Sequence, residues 1–510
     1  MTNDRKMRNH PVKKHISAVL ALLLLGSTLA ACSETTEQPI DTADSPAETA
    51  AAAAGTTETE NENIRAGVKD SLPDSLDYNG RTFTVYYAND YDQRDYIEGA
   101  DMLTGEIVDD AIFTCTASVE DRLNIDLRFT PDDTALTYTV AGNVSKQIMA
   151  ADPTNDIFFG QQCGMVQLIT DGAFVNAYDI DHFDFSQPWW NNSYMDEISV
   201  GRGSRFFLVG DYTLSALRLE HVLFYNKTMY ARYYDNADGL YEETLNGTWT
   251  MDRLAEVSRS VFSDLNGSGS SDAEDQLGYI AFKAAASTDP FAYLAGIPYA
   301  EHDKNGAVTI ELLQDRAVTL TEKVVSFFHQ AGSFYNMEDN ISTNVFMNGN
   351  ALFLGMRQLT SAKSLRDMTD DFGFLPYPKL DEAQEAYHGL VADIVLLGAI
   401  PTSSLNTDMA GAVLEALNAE TYRSVVPLWY ETALKIKYAR DDISSQIIDL
   451  IHDSVYTSFL YAYSPCLDTA GVFMRSLVEN NSTDYVSTVT KLAKSLQKRL
   501  DGINEAFEQQ

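Results

Sequence analysis

The sequence predicts an α/β fold with its core divided between two lobes, and three observations carry that prediction. Strand-like and helix-like runs alternate along the first part of the folded chain. About 430 residues follow a polar leader segment, too many for one ordinary hydrophobic core and enough for two. A content of 45% hydrophobic and 11% aromatic residues is that of a globular chain.

The first 31 residues stand apart from this fold. Arg5, Lys6, Arg8, Lys13 and Lys14 precede an apolar run over 19–25, which Gly26 and Ser27 follow. Basic, then apolar, then small is the order of a secretory signal. The apolar stretch from Ile16 to Ala31 falls short of the roughly 20 residues that a membrane-crossing helix needs. The tetrad Leu29-Ala30-Ala31-Cys32 resembles the lipobox of bacterial lipoproteins, and that resemblance makes Cys32 the lipidated first residue of the mature chain. The other reading is a plain cleavage site with a cysteine beside it. Acyl chains contribute about 0.8 kcal/mol per buried methylene, and two or more anchor stably. The chain is then expected on the extracellular face of a bacterial cell membrane.

Charge narrows the partners. The full chain has a formal net charge of −38. Loss of residues 1–31 removes five basic groups and one acidic group and deepens it to −42. Such a surface repels phosphate backbones and gains nothing from counterion release, so nucleic acid is excluded as a partner. Beyond Cys32 only Cys115, Cys163 and Cys466 remain, widely spaced and odd in number. No disulfide framework follows. One bridge with a free thiol and three buried thiols are both open, and apolar neighbours favour the second.

Residues 32–78 read as an acidic tether. From Ser33 to about Ser75 the composition is Glu, Thr, Ala, Ser, Pro, Asn and Asp, which cannot bury enough surface to offset ordering entropy. A flexible chain of that length spans roughly 35 Å.

Order is expected from the Asn79-Gly80 turn, with a strand over 82–88. Ile107, Ile112, Ala117, Val119 and Leu123 recur at helical spacing, and a strand follows over 125–129. A helix over 135–149 and a strand over 156–159 continue the alternation. This pattern implies a parallel sheet covered by helices, whose ligands lie past the carboxyl ends of the strands. Asn89, Asp90 and Gln161 are therefore candidate binding residues. The run 206–227 is strand-rich. Thr250 caps a helix that has Asp252 in its first turn and runs to Val261. Further elements are a helix over 318–328, strands over 351–354, 372–375 and 394–400, and a helix near Arg366. Val486, Val489, Leu492, Ala493, Leu496, Leu500, Ile503 and Phe507 draw one apolar stripe on a terminal helix.

The sharpest chemical pattern runs from Asp264 to Asp275. Oxygen-bearing side chains at Asp264, Asn266, Ser268, Asp272 and Asp275 surround Gly269, and Ser270 offers its backbone carbonyl, the spacing of an EF-hand calcium loop. Asp275 in place of the usual Glu and the neutral Ser268 weaken the ligand set. The competing reading is a polar Gly/Ser turn after a helix. Calcium, if held, is structural, because no nucleophile stands nearby.

Enzyme signatures are sparse. The eight histidines form no HExxH, and there is no GxSxG, no P-loop and no complete dinucleotide glycine turn. With 74 acidic residues, accidental carboxylate pairs decide nothing. Aromatic residues near turns can offer flat faces to sugar rings, which nominates Trp189, Trp190, Tyr212, Trp429 and Tyr430. Trp249, one residue before a helix cap, reads as packing. Asp211 and Arg357 follow strands and join the candidates.

Several runs together resemble the extracellular solute-binding lipoproteins of bacterial ABC importers, of the family 1 carbohydrate type related to maltose-binding and alginate-oligosaccharide-binding proteins. They are the Cys32 tetrad, DIFFG from Asp156, GTWTMDRL from Gly247, the Asp264 loop, FMNGNALF from Phe346, DFGFLPYPKLDEAQEAY from Asp371, VLEALNAE from Val413 and YETALKIKYARDD from Tyr430. Their order along 79–510 is more specific than any one of them. The resemblance implies a two-lobe type II periplasmic-binding-protein fold with a hinge and an interlobe cleft. One lobe would hold 79–212 and 388–425, the other 213–387 and 426–510. It implies a monomeric binder, not an enzyme, that captures a carbohydrate, an oligosaccharide by type, and presents it to ABC permease subunits. It also adds weight to calcium on the loop. Two other classes remain: a surface-tethered glycan-acting enzyme, and a sensory or adhesion lipoprotein without a transporter.

Overall fold

A computed structural model describes residues 64–508, apart from 284, 337–338 and 435–441. The signal segment, Cys32 and most of the tether lie outside the described residues. No helix among the described residues is long and apolar enough to cross a membrane.

Nine strands build the two larger sheets: β1 (Arg81–Ala88), β2 (Ile125–Asp132), β3 (Ile157–Gln161), β4 (His221–Asn226), β5 (Leu277–Phe282), β6 (Ser333–Asn336), β7 (Ala351–Gln358), β8 (Phe372–Leu375) and β9 (Leu396–Ala399). The first sheet has the order β9-β3-β1-β2, with β2 and β3 parallel to β1 and β9 antiparallel to β3. The second has the order β8-β4-β7-β5-β6 and mixes parallel and antiparallel pairs. β3 and β4 are buried along their whole length. That explains why both read as unbroken apolar runs: helices cover both faces of such strands.

Helix Ile107–Leu123 shows how local sequence sets the first body. Ile112, Cys115, Val119 and Leu123 are its buried face, and Asn124, at φ 48°, turns the chain out of the helix into β2. Thr250 caps Met251–Ser260 as expected, its side chain accepting from the Arg253 amide. The terminal helix runs Tyr485–Glu508 and buries Val489, Leu496, Leu500 and Ile503. Val486 leaves the expected stripe, at 51% exposure, while Tyr485 one residue earlier is buried.

Other expectations shift. The strand-rich run 206–227 resolves into isolated bridges at Leu208 and Gly210, short helices Asp211–Thr213 and Ser215–Arg218, and then β4. Leu214, at φ 51°, makes the bend between the two helices. The helix expected over 135–149 begins only at Val140, because Thr139 spends its hydroxyl on the Thr134 carbonyl in a preceding turn. Near Arg366 the chain forms a 3-10 helix, Leu359–Leu365. The tether ends earlier than residue 78: Leu72 and Tyr78 are buried, and Asp70 pairs with Arg122 at 2.7 Å. Cys115 and Cys163 are buried free thiols, and Cys466 is free and part-buried.

Two segments carry the chain between the sheets. Residues 211–220 lead into β4, and residues 391–395 lead into β9. They lie together, with Glu220 bridged to Val391 and the Ala392 amide on the Leu219 carbonyl.

Candidate functional site

The carboxyl ends of β1 and β3 meet the crossing segments, and polar groups gather there. After β1, Tyr91 and Asp92 both adopt left-handed backbone, at φ 55° and 61°, and swing the short helix Gln93–Ile97 inward. Consecutive left-handed residues without glycine are costly, and such strain is typical of binding loops. The buried Arg218 from the crossing segment answers this loop. Its guanidinium carbon stands 3.4 Å from the centre of the Tyr96 ring, and Nη2 donates to Gln93 Oε1 at 3.0 Å. After β3, Gln162 is buried and accepts from the Tyr194 hydroxyl at 2.5 Å.

These groups are incompletely satisfied. Gln93 Nε2, Gln161 Oε1, Gln162 Nε2 and Arg218 Nε are buried and have no hydrogen-bond partner among the described residues. An orphaned buried donor or acceptor costs about 1–3 kcal/mol, so four at one sheet edge point to a place that water or a polar solute completes.

A cavity of about 380 Å³ lies beside Tyr96, the ring that Arg218 covers. Asp95, Tyr96, Glu106 and Asp109 line it from the first body, and Thr360, Lys363 and Arg366 from the turn that follows β7. Trp429 lines it as well. Burial pushes the Asp109 carboxyl up, Asp95 and Glu106 add to the shift, and Lys363 opposes it. The walls thus combine carboxylates, cations and rings, the set that grips a polyhydroxylated molecule.

The sequence-nominated residues distribute unevenly around this site. Trp429 lies on the cavity, and Tyr430 packs against it edge-on with centroids 5.2 Å apart. Gln161 sits at the orphaned edge, with Nε2 on the Ala135 carbonyl. Asn89 donates to Asp133, and Asp90 accepts from the Tyr91 amide; both are half-buried beside β1. Trp189, Trp190 and Asp211 line a second cavity of about 400 Å³ with His452 and Asp453. Their rings are core all the same, at 1% and 5% exposure, and Trp190 stacks edge-on to Phe183 and Phe185. Burial lifts Asp211 to about 7 against the pull of Arg65. Tyr212 is buried with its hydroxyl on the Ile97 carbonyl at 3.2 Å. Arg357 lies in β7 opposite Val222, and its side chain is outside the described residues. Trp249 is fully buried and donates to the Pro376 carbonyl.

Sequence reasoning missed Gln93, Tyr96, Arg218 and Lys363. A signal existed for one of them: Arg218 is the lone Lys or Arg in the apolar run 206–226, and a charge so placed is either an interruption or a buried partner.

The loop Asp264–Asp275 is held by its own side chains. Asp264 accepts from the Gly267, Ser268 and Gly269 amides, and Asp275 from Leu265 and Asp272. Ser268 Oγ lies 2.9 Å from the Ser270 carbonyl and 3.1 Å from Asp272 Oδ2. Asn266 donates from Nδ2 to Asp272 and accepts from the Ser268 amide. No group of three or more His, Cys, Asp or Glu side chains converges in a metal-holding arrangement among the described residues.

No protein-family model matches the chain, and no curated protein matches it at a significant level. Solved structures do. An ABC transporter solute-binding protein from Thermotoga lettingae bound with α-D-tagatose superposes with a TM-score of 0.53 at 14% identity, over 82% of this chain and 100% of that one. A cyclo/maltodextrin-binding protein complexed with maltotetraose gives 0.53 at 12% identity, over 82% and 97%. Maltose-bound T. maritima MalE3 gives 0.51 at 13% identity, over 82% and 99%. The chain therefore has the two-lobe periplasmic-binding-protein fold of these proteins.

Proposed function

We propose that the chain is the lipid-anchored substrate-binding component of an ABC importer, which captures a carbohydrate, an oligosaccharide by class, between its lobes and presents it to the permease. The observation that carries this reading is the buried pair Gln93 and Arg218, which keeps unpartnered polar atoms and packs on Tyr96, a ring that lines the cavity together with Trp429. Hydroxyls donate and accept at once, so one sugar ring can satisfy orphaned groups of both kinds while its apolar face rests on an aromatic ring. Maltotetraose and maltose in proteins of this fold support the same class. Binding requires no bond to break. It requires contacts from both lobes in the closed state, since a solute shifts an equilibrium only by its differential affinity.

A thermal-shift screen over mono- and oligosaccharides tests the reading. A solute at one hundred times its Kd adds about 2.7 kcal/mol of stability. A melting temperature unmoved by every sugar would defeat the proposal. Intact-mass analysis of the mature amino terminus tests the anchor: a diacylated or triacylated Cys32 is expected, and a chain cut elsewhere without acyl mass refutes it.

The Asp264 loop belongs to the same proposal as a structural calcium site. Calcium is expected to raise the melting temperature, and Asp264→Ala to abolish the rise, with affinity about 10⁻⁴ to 10⁻³ M as in extracellular modules. No heat on titrating calcium into chelator-treated protein would remove the ion.

A further inference from the structure

Helix Tyr485–Glu508 is basic along its outer side, against the sign of the chain. The whole sequence holds 36 basic and 74 acidic residues. Within this helix Lys491, Lys494, Lys498 and Arg499 fall inside nine positions, and no acidic residue stands from 485 to 500. Asp484 and Asp501 bound the run.

Packing decides where these charges point. Tyr485, Val489, Leu496, Leu500 and Ile503 form the buried face. Lys491 lies two positions past Val489, while Lys494 and Lys498 lie two positions before Leu496 and Leu500. At about 3.6 residues per turn an offset of two is slightly more than half a turn, so all three lysines stand across the helix axis from the core. Steps of three and four between them draw one stripe. All three are exposed, and none makes an ion pair among the described residues. Arg499, on the flank, pairs with Asp468 at 2.9 Å, and Asp501 accepts from the Gln497 side chain at 2.7 Å where the stripe ends. Like charges at this spacing repel one another, so the row does not help the helix to form. An anionic surface outside the fold would relieve it.

Range decides which surface can answer. The Debye length is about 8 Å at physiological ionic strength, whereas a compact chain of about 430 residues has a radius of gyration of roughly 22 Å. A charged surface therefore responds to the side turned toward it and not to the net charge of −38. The acidic surplus makes the other sides repulsive on average. Residues 33–63, read as a leash, span roughly 30 Å by flexible-chain scaling, which keeps the bilayer as the nearest surface.

We propose that the lysine stripe of the terminal helix is a membrane-facing surface: Lys491, Lys494 and Lys498 settle on anionic phospholipid headgroups and turn that side of the body toward the bilayer. The inference rests on the reading that Cys32 is acylated. The helix does not insert, because its apolar face is spent on the core. Three lysines without an apolar face give a weak, salt-sensitive contact, effective at the high local concentration that an anchor maintains. The consequence is orientation: the body captures solute with one side held against the membrane.

The natural chain, anchored on vesicles, is treated with an amine-acetylating reagent, and mass spectrometry reads the rate at each lysine relative to the exposed Lys363. On equal parts phosphatidylglycerol and phosphatidylcholine, Lys491, Lys494 and Lys498 should react about threefold more slowly than on phosphatidylcholine alone. Salt at about 1 M, where the Debye length is about 3 Å, should erase the difference. In Lys491→Glu/Lys494→Glu, which alters exposed positions only, Lys498 remains as reporter and should lose its protection. Equal rates on both vesicles overturn the proposal, and protection of the same size on both, growing with protein density, assigns the stripe to a second copy and overturns it too. Lys498 still protected in the charge-reversed variant counts against it equally. If the mature amino terminus proves to carry no acyl group, the chain is coupled there to a synthetic lipid; protection on phosphatidylglycerol then upholds the stripe while the anchor falls. An acylated Cys32 with unprotected lysines does the reverse.

Discussion

Trp190 Nε1 donates to Glu415 Oε2 at 2.9 Å inside the first body, while Glu415 Oε1 is buried with no hydrogen-bond partner among the described residues. Burial raises the Glu415 carboxyl to about 7, and the indole only partly opposes it. The folded value lies above the unfolded one, so the folded protein holds the extra proton. Stability contributed by this group is present at low pH and is lost as pH rises from about 4.5 through about 7. Glu415→Gln keeps an acceptor for Trp190 and discards the charge. It should be more stable than the natural chain at pH 8, by about 1–3 kcal/mol, and should converge with it near pH 4.5. Parallel denaturation curves at both pH values check this; a constant difference between them contradicts it.

Cleft and core substitutions should separate cleanly. Asp109→Asn and Lys363→Ala alter opposite walls of the 380 Å³ cavity. They should shrink the thermal shift given by a bound sugar and leave the solute-free melting temperature nearly unchanged. Trp189→Ala and Trp190→Ala empty buried sites and should cost about 3–5 kcal/mol without a solute present. Reversed outcomes would move the solute to the second cavity.

What was legible in the sequence was what short-range chemistry decides. The Thr250 cap, the Asn124 turn and the buried face of Ile107–Leu123 each depend on residues within a few positions of one another. The local pattern predicts β7 only to Leu354, yet it runs to Gln358 because Val222 of β4 pairs with Arg357, a partner more than a hundred residues away. The same limit explains the aromatic candidates. Trp189-Trp190, between Pro188 and Asn191, has the local look of an exposed turn, and only Glu415, Phe183 and Phe185 make Trp190 core. Arg218 and Gln93 meet across 125 positions, and no periodicity reports such a pair.

Residues 64–78 belong to the folded body through Asp70. Its side chain is 4% exposed and takes both Arg122 guanidinium nitrogens at 2.7 Å, with Arg423 at 3.6 Å. Burial alone would raise this carboxyl, but the Arg122 pair prevails and holds it below its usual range. The depressed folded value means stability present at neutral pH and lost as pH falls below about 4. Asp70→Ala should cost about 1–3 kcal/mol at pH 7 and open the segment to limited proteolysis, with cuts mapping between residues 64 and 78. Cleavage elsewhere first would show that another contact holds the segment.

Arg475 and Asp289 make the sharpest electrostatic test. Nε donates to Oδ1 at 2.8 Å and Nη2 to Oδ2, while Asp289 is buried and Arg475 partly exposed. Burial lifts Asp289 to about 6 even with the guanidinium in place. Arg475→Ala therefore strands a carboxylate and should cost about 3–5 kcal/mol at pH 7.5. Because the folded protein can take up a proton there more readily than the unfolded chain, the deficit should shrink as pH falls toward 5. Asp289→Asn/Arg475→Met, which removes both charges, should recover most of the loss at every pH. A deficit that stays flat from pH 8 to 5, or a double variant no better than the single one, would mean that Arg475 acts through its packing and not through its charge.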